Sequence, residues 1–179
     1  MGASAKCLTI ILIHRINARL ADVAADDYER RVEPATGLLR RLGAEVLRDL
    51  DEQVGGVGWW DGQIDFRRRV VLSEYLLDSL NVAAEALLDA SLEAQTHREA
   101  LYADDARLRR IWSAVAQAGS CSNEDFLKAM QRDGSARRRE RQIDTSATHA
   151  ISHMLRALDC LAAAMLIVGA IPQAVRRAT

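Results

Sequence analysis

The sequence predicts an all-α fold. It reads as a single helical-bundle domain over 1–179, with five or six mostly antiparallel helices and a long, buried C-terminal helix. Three observations predict it. Only Pro34 and Pro172 interrupt the 179 residues, so long helices are free to form. Apolar residues recur at three- and four-residue spacing along most of the chain. The two-residue alternation of a strand is nearly absent, which leaves helix packed on helix as the architecture.

The elements follow in order. A first helix is expected from Ala5 to Arg31, with Leu8, Ile11, Leu12, Ile16 and Leu20 on one stripe. Its β-branched start leaves a short strand at Leu8–Ile13 as an alternative, but no second strand exists to pair with it. Pro34 suits the first turn of a second helix reaching Gln53, striped by Leu38, Leu39, Leu42, Val46, Leu47 and Leu50. The segment VGGVGWWDG, 54–62, then forms a loop that joins two helices, with its tryptophans plugging the end of the bundle. A stacking platform is the alternative. The loop lacks the Gly-Lys-Ser/Thr ending of a phosphate-binding loop.

From Gln63 to Tyr102 no Gly or Pro breaks the pattern, which predicts one long helix or two collinear ones. Asp104–Ala118 follows as a further helix ended by Gly119. Ser122, with Asp125 three residues on, resembles a capping box and opens a short helix to Arg132, broken at Asp133-Gly134. The last helix runs from Ser135 to Gly169. Leu155, Leu158, Leu161, Ala162, Met165 and Leu166 are expected to be buried in it, so that an aspartate at 158 would cost several kcal/mol, roughly.

Composition narrows the function. A formal charge of -1 gives no global attraction to nucleic acid or to acidic membranes. Lys6 and Lys128 are the only lysines among 24 basic residues, and this bias weakens any argument that a given Arg was chosen for its fork. Cys7, Cys121 and Cys160 are odd in number and far apart, which suits buried thiols in a reducing compartment. The run Cys7–Ile13 is too short to span a bilayer, and Arg156 and Asp159 interrupt the Leu155–Ile171 run. A cytoplasmic protein without a membrane role is expected.

Chemistry concentrates on the last helix. His149 and His153 stand one turn apart, and projection back along the helix brings Arg138, Gln142 and Thr145 onto the same stripe. A neutral imidazole beside a guanidinium could take a 2′-hydroxyl proton while the Arg holds the scissile phosphate. His149, His153, Arg138 and Arg141 are therefore the candidate catalytic residues, and the cluster Arg137, Arg138, Arg139 and Arg141 is a candidate RNA patch. Four arginines there oppose the helix dipole unless an anion answers them. The plainer reading makes them a solvated helix start and the histidines core residues. Imidazoles at this spacing could also share a divalent transition metal, with His97 as third ligand.

Two resemblances attach to these residues. The set His97, His149 and His153 resembles that of the four-helix metal-binding proteins of the DinB type, which implies one bound metal. The stretch RERQIDTSATHAISHMLRALDCLAAAMLIVGAI resembles the C-terminal part of HEPN-like helical proteins, matching their "ALD-LAA" run at Ala157, Leu158, Asp159, Leu161, Ala162 and Ala163. That resemblance implies a dimerising helical bundle. Active members are metal-independent ribonucleases, with an Arg, a polar residue, and a His four to six positions on. Here seven residues separate Arg141 from His149, so the nuclease spacing is not matched. The expectation is a self-associating interaction module, a homodimer, with the ribonuclease and the three-histidine metal protein as alternatives.

Overall fold

Four α-helices and one short 3-10 turn make up the regular structure of the described residues in a computed structural model: α1 (Ala3–Asp51), α2 (Phe66–Gln117), α3 (Asn123–Gln131) and α4 (Ala136–Arg176), with the turn at Gly58–Trp60. No strand occurs among them. The backbone is described over 3–51, 55–60, 64–119, 122–131 and 134–176, and side chains from Arg19 to Gly169 within these ranges, apart from 21, 24, 25, 29, 51, 59 and 123. The all-α class holds.

The expected count of five or six helices does not, because two expected breaks are absent. Pro34 lies inside α1 instead of opening a second helix. It withdraws the N–H that would serve the Arg30 carbonyl, yet the helix continues through it. Asp104 and Asp105 lie inside α2, where a helix edge was expected. Both carboxylates are answered: Asp104 pairs with Arg107 at 3.2 Å and Arg139 at 3.9 Å, and Asp105 with Arg109. Nothing local is left to end the helix. The start of α3 follows expectation, with the Ser122 hydroxyl accepting from the Asp125 N–H at 3.2 Å and donating to its carboxylate at 2.6 Å.

The chain divides into two compact units, and α1, α2 and α4 each run through both. Unit 1 comprises Met1–Glu29 and Leu92–Ala150. Its core centres on Leu108 and Phe126, with Ile111, Trp112 and Met130 against them, and the Trp112 and Phe126 rings meet edge to face at 5.7 Å. Tyr102 donates a hydrogen bond to Asp22, and Arg98 pairs with Asp26, so polar contacts fasten α1 to α2 here.

Unit 2 comprises Arg30–Ser91 and Ile151–Thr179. Val46, Val57, Trp60, Leu76, Leu80 and Ala164 form its core. The glycine-rich loop closes one part of it. Gly55 and Gly56 take positive φ of 76° and 98°, which turns Val57 and Trp60 inward, where both are buried. Ser73, fully buried, secures the turn: its hydroxyl accepts from the Val57 N–H and donates to the Arg69 carbonyl, each at 2.9 Å. Arg69 in turn donates from Nε to the Gly55 carbonyl at 2.9 Å. The loop is therefore a plug that buries the Trp60 indole. The Trp59 side chain and Val54, Asp61 and Gly62 lie outside the described residues.

The expected burial of α4 is overturned. Leu155, Leu158, Met165 and Leu166 are exposed by 57%, 61%, 75% and 71%, Ala162 is exposed, and Leu161 is half-buried. The face turned inward is instead the small one: Ala157 and Ala164 are buried, with His153, Cys160 and Ile167 half-buried beside them. Small side chains permit a close approach of the helix to its neighbours, and the bulky apolar residues point away. By length and composition alone, the stretch Ala136–Gly169 would suffice to cross a membrane.

Candidate functional site

The candidate chemistry lies where α4 meets α2. In unit 1 the contacts pair rising numbers on α4 with falling numbers on α2. The His97 ring places Nδ1 3.0 Å from the Ile143 carbonyl, so this nitrogen carries the proton and donates. Ser146, buried one turn before Ala150, lies 3.4 Å from the same nitrogen and bonds the Gln142 carbonyl at 2.8 Å. One turn farther along, His149 Nδ1 is 3.7 Å from Glu93, an ion pair whenever the imidazole is protonated.

A hollow of about 400 Å³ opens beside this contact. Arg138, Arg141, Gln142, Thr145 and His149 of α4 line one side, with Ser146 at the floor and Glu93 and Thr96 of α2 opposite. The helical stripe read from the sequence is thus realised in space. Arg138 and Arg141 have no ion-pair partner among the described residues. The hollow therefore offers two unanswered guanidiniums, one imidazole backed by a carboxylate, and several neutral hydrogen-bonding groups.

His153 does not line it. It belongs to unit 2, where its Nδ1 stands 3.7 Å from Asp89. Three of the four candidate catalytic residues are accordingly brought together and the fourth is placed elsewhere. For the metal alternative, no group of three or more His, Cys, Asp or Glu side chains gathers closely enough to hold an ion among the described residues. His97 donates through Nδ1, which leaves Nε2 as its nitrogen with a free lone pair.

Sequence reasoning missed both carboxylate partners. Glu93 faces His149 and Asp89 faces His153. The signal was present: Asp89 and Glu93 are four apart, as are His149 and His153, so two helices in contact bring the two pairs to matching intervals.

A second feature is the outward face of α4. Ile151, Met154, Leu155, Leu158, Met165, Leu166 and Val168 are seven of the nineteen large hydrophobic side chains exposed among the described residues. The remaining twelve are spread over α1, α2 and α3, so the concentration on α4 is a patch, not scatter. Compared with protein-family models, curated proteins and solved structures, the chain matches none.

Proposed function

We propose that this chain is a helical interaction module, HEPN-like in its late helix, that self-associates as a homodimer in the cytoplasm and has no catalysis of its own. The observation that carries this reading is the amount of large apolar side chain left uncovered, densest between Ile151 and Val168. Seven side chains this exposed present on the order of 700 Å² of apolar surface, close to the ~800 Å² that each partner buries in a specific interface. A chain with a charged surface elsewhere gains most by covering that patch against protein. Sedimentation equilibrium tests the reading. The expected result is twice the 19.8 kDa chain mass at micromolar concentration, and a monomer at the highest attainable concentration would overturn it.

A second reading, metal-independent ribonuclease, is favoured by one specific observation: Arg138, Arg141 and His149 line a single hollow, with Glu93 beside the imidazole. On this reading His149 takes the 2′-hydroxyl proton, the 2′-oxygen attacks phosphorus, and the P–O5′ bond breaks, leaving a 2′,3′-cyclic phosphate and a 5′-hydroxyl protonated from water. Arg138 and Arg141 offset the charge that develops on phosphate. RNA cleavage in EDTA, lost in His149→Ala, is the expected result. No cleavage by the wild-type dimer would leave the first reading alone.

A further inference from the structure

We infer that the outward stripe of α4 docks the α4 of a second copy of this chain, helix against helix about a two-fold axis. This rests on the self-association proposed above and adds where and how the copies meet. The argument begins with spacing. Ile151, Leu158 and Met165 recur every seven residues, and Leu155, Ala162 and Gly169 recur every seven residues, four positions on. All six are exposed. The resulting four-three alternation is the pattern of a coiled-coil seam, which drifts around a straight helix unless a partner helix winds with it. Met154, Leu161 and Val168 border one edge at the same interval.

The opposite side of the same helix carries a second seven-residue series, Ala157 and Ala164, and both are buried within the chain. One series is thus used by the fold and the other is left over. The leftover one asks for a helix of matching period, and the α4 of another copy supplies it. A two-fold brings identical patches together, so the contact closes on itself and does not grow into a filament.

Charge favours an antiparallel pairing. Asp159 is exposed on one edge of the stripe and Arg156, three residues earlier, is exposed beyond that edge on the same side; neither has an ion-pair partner among the described residues. With the axis midway between Ala157 and Leu158, Arg156 of each copy falls level with Asp159 of the other, giving two reciprocal pairs. A lipid surface would need neither the seven-residue period nor these charges. It would instead have to accommodate both of them midway along a stripe roughly 27 Å long.

The test uses the full-length chain and four variants in sedimentation equilibrium, with circular dichroism and urea midpoints to report folding. Leu158→Glu sets like charges together at the axis. Leu38→Glu makes the same change at an apolar residue of similar exposure on α1, off the stripe. Arg156→Glu combined with Asp159→Arg exchanges the edge charges. The expected result is a dimer constant weakened by roughly 30-fold or more in Leu158→Glu, little changed in Leu38→Glu, and near wild type in the double exchange, whereas Arg156→Glu alone weakens it. A wild-type dimer that Leu158→Glu leaves intact would overturn the α4 seam while self-association stands. A wild-type monomer would remove both. A monomer that binds phosphatidylglycerol vesicles, and loses them with Leu158→Glu, would assign the stripe to lipid and overturn this inference. Should Leu158→Glu fail to fold, the edge-charge set decides: a dimer constant indifferent to Arg156→Glu would refute the antiparallel seam.

Discussion

Replacing Gly56 by alanine tests the account of the glycine-rich turn. At φ 98° a non-glycine residue sits in the left-handed region, which costs about 1–2 kcal/mol. The added Cβ would also fall inside the Ser73 hydroxyl oxygen and lie 3.0 Å from Ser73 Cβ and 3.1 Å from the Arg69 carbonyl oxygen. Ser73 has no room to retreat, being fully buried, and its hydroxyl holds both the Val57 N–H and the Arg69 carbonyl. Displacing it leaves a buried donor unanswered, about 1–3 kcal/mol more. The sum predicts a loss of about 2–5 kcal/mol. Gly55→Ala supplies the internal control, since it shares the positive φ but its Cβ meets the Phe66 ring, which is 62% exposed and can swing away. Its cost should stay near the conformational term alone, ~1–2 kcal/mol. Urea unfolding followed by circular dichroism and tryptophan fluorescence measures both. If the Ser73 contact is the cause, Gly56→Ala combined with Ser73→Ala should cost less than the two changes added. A Gly56→Ala variant as stable as wild type, or less affected than Gly55→Ala, would refute the reasoning.

Further expectations follow from burial and capping. Leu76→Ala, at a side chain 2% exposed in the unit 2 core, should lose about 2–5 kcal/mol in urea. Leu158→Ala, the same change at an exposed position of α4, should shift the unfolding of dilute, monomeric protein by about 0.5 kcal/mol or less. Ser122→Ala removes the cap of α3 and should cost about 0.5–2 kcal/mol, read from faster amide exchange across Asn123–Gln131.

What was legible in the sequence was whatever one helix decides by itself. The scarcity of proline and the absence of alternation sufficed for the all-α class. Helical periodicity alone placed Arg138, Gln142, Thr145 and His149 along one hollow. What required contact between helices was not legible. The Asp104-Asp105 pair looks like a helix end until Arg107, Arg109 and Arg139 are seen to pair with it, and Pro34 looks like a helix start until α1 is seen to run through it. The pairing of Glu93 with His149 was not legible because the two lie on different helices. The burial of α4 failed for a different reason. Hydropathy reports that Leu155 and Leu158 avoid water, but not whether their own chain shields them.

The inward face of α4 has a mechanical consequence. Ala157, Cys160 and Ala164 present side chains so short that the grooves between them are shallow, and a neighbouring helix finds little to lock into. Apolar contact at these three residues therefore does little to fix the axial position. The contacts that help to fix it are polar: His97 against the Ile143 carbonyl, His149 against Glu93, and His153 against Asp89. Partly exposed pairs of this kind contribute little to the free energy of folding. They can still select one alignment among near-equals, as a lone polar residue does in a coiled coil. A histidine can thus be indispensable to this chain by acting as an index mark that tells one helix where along the other to stop.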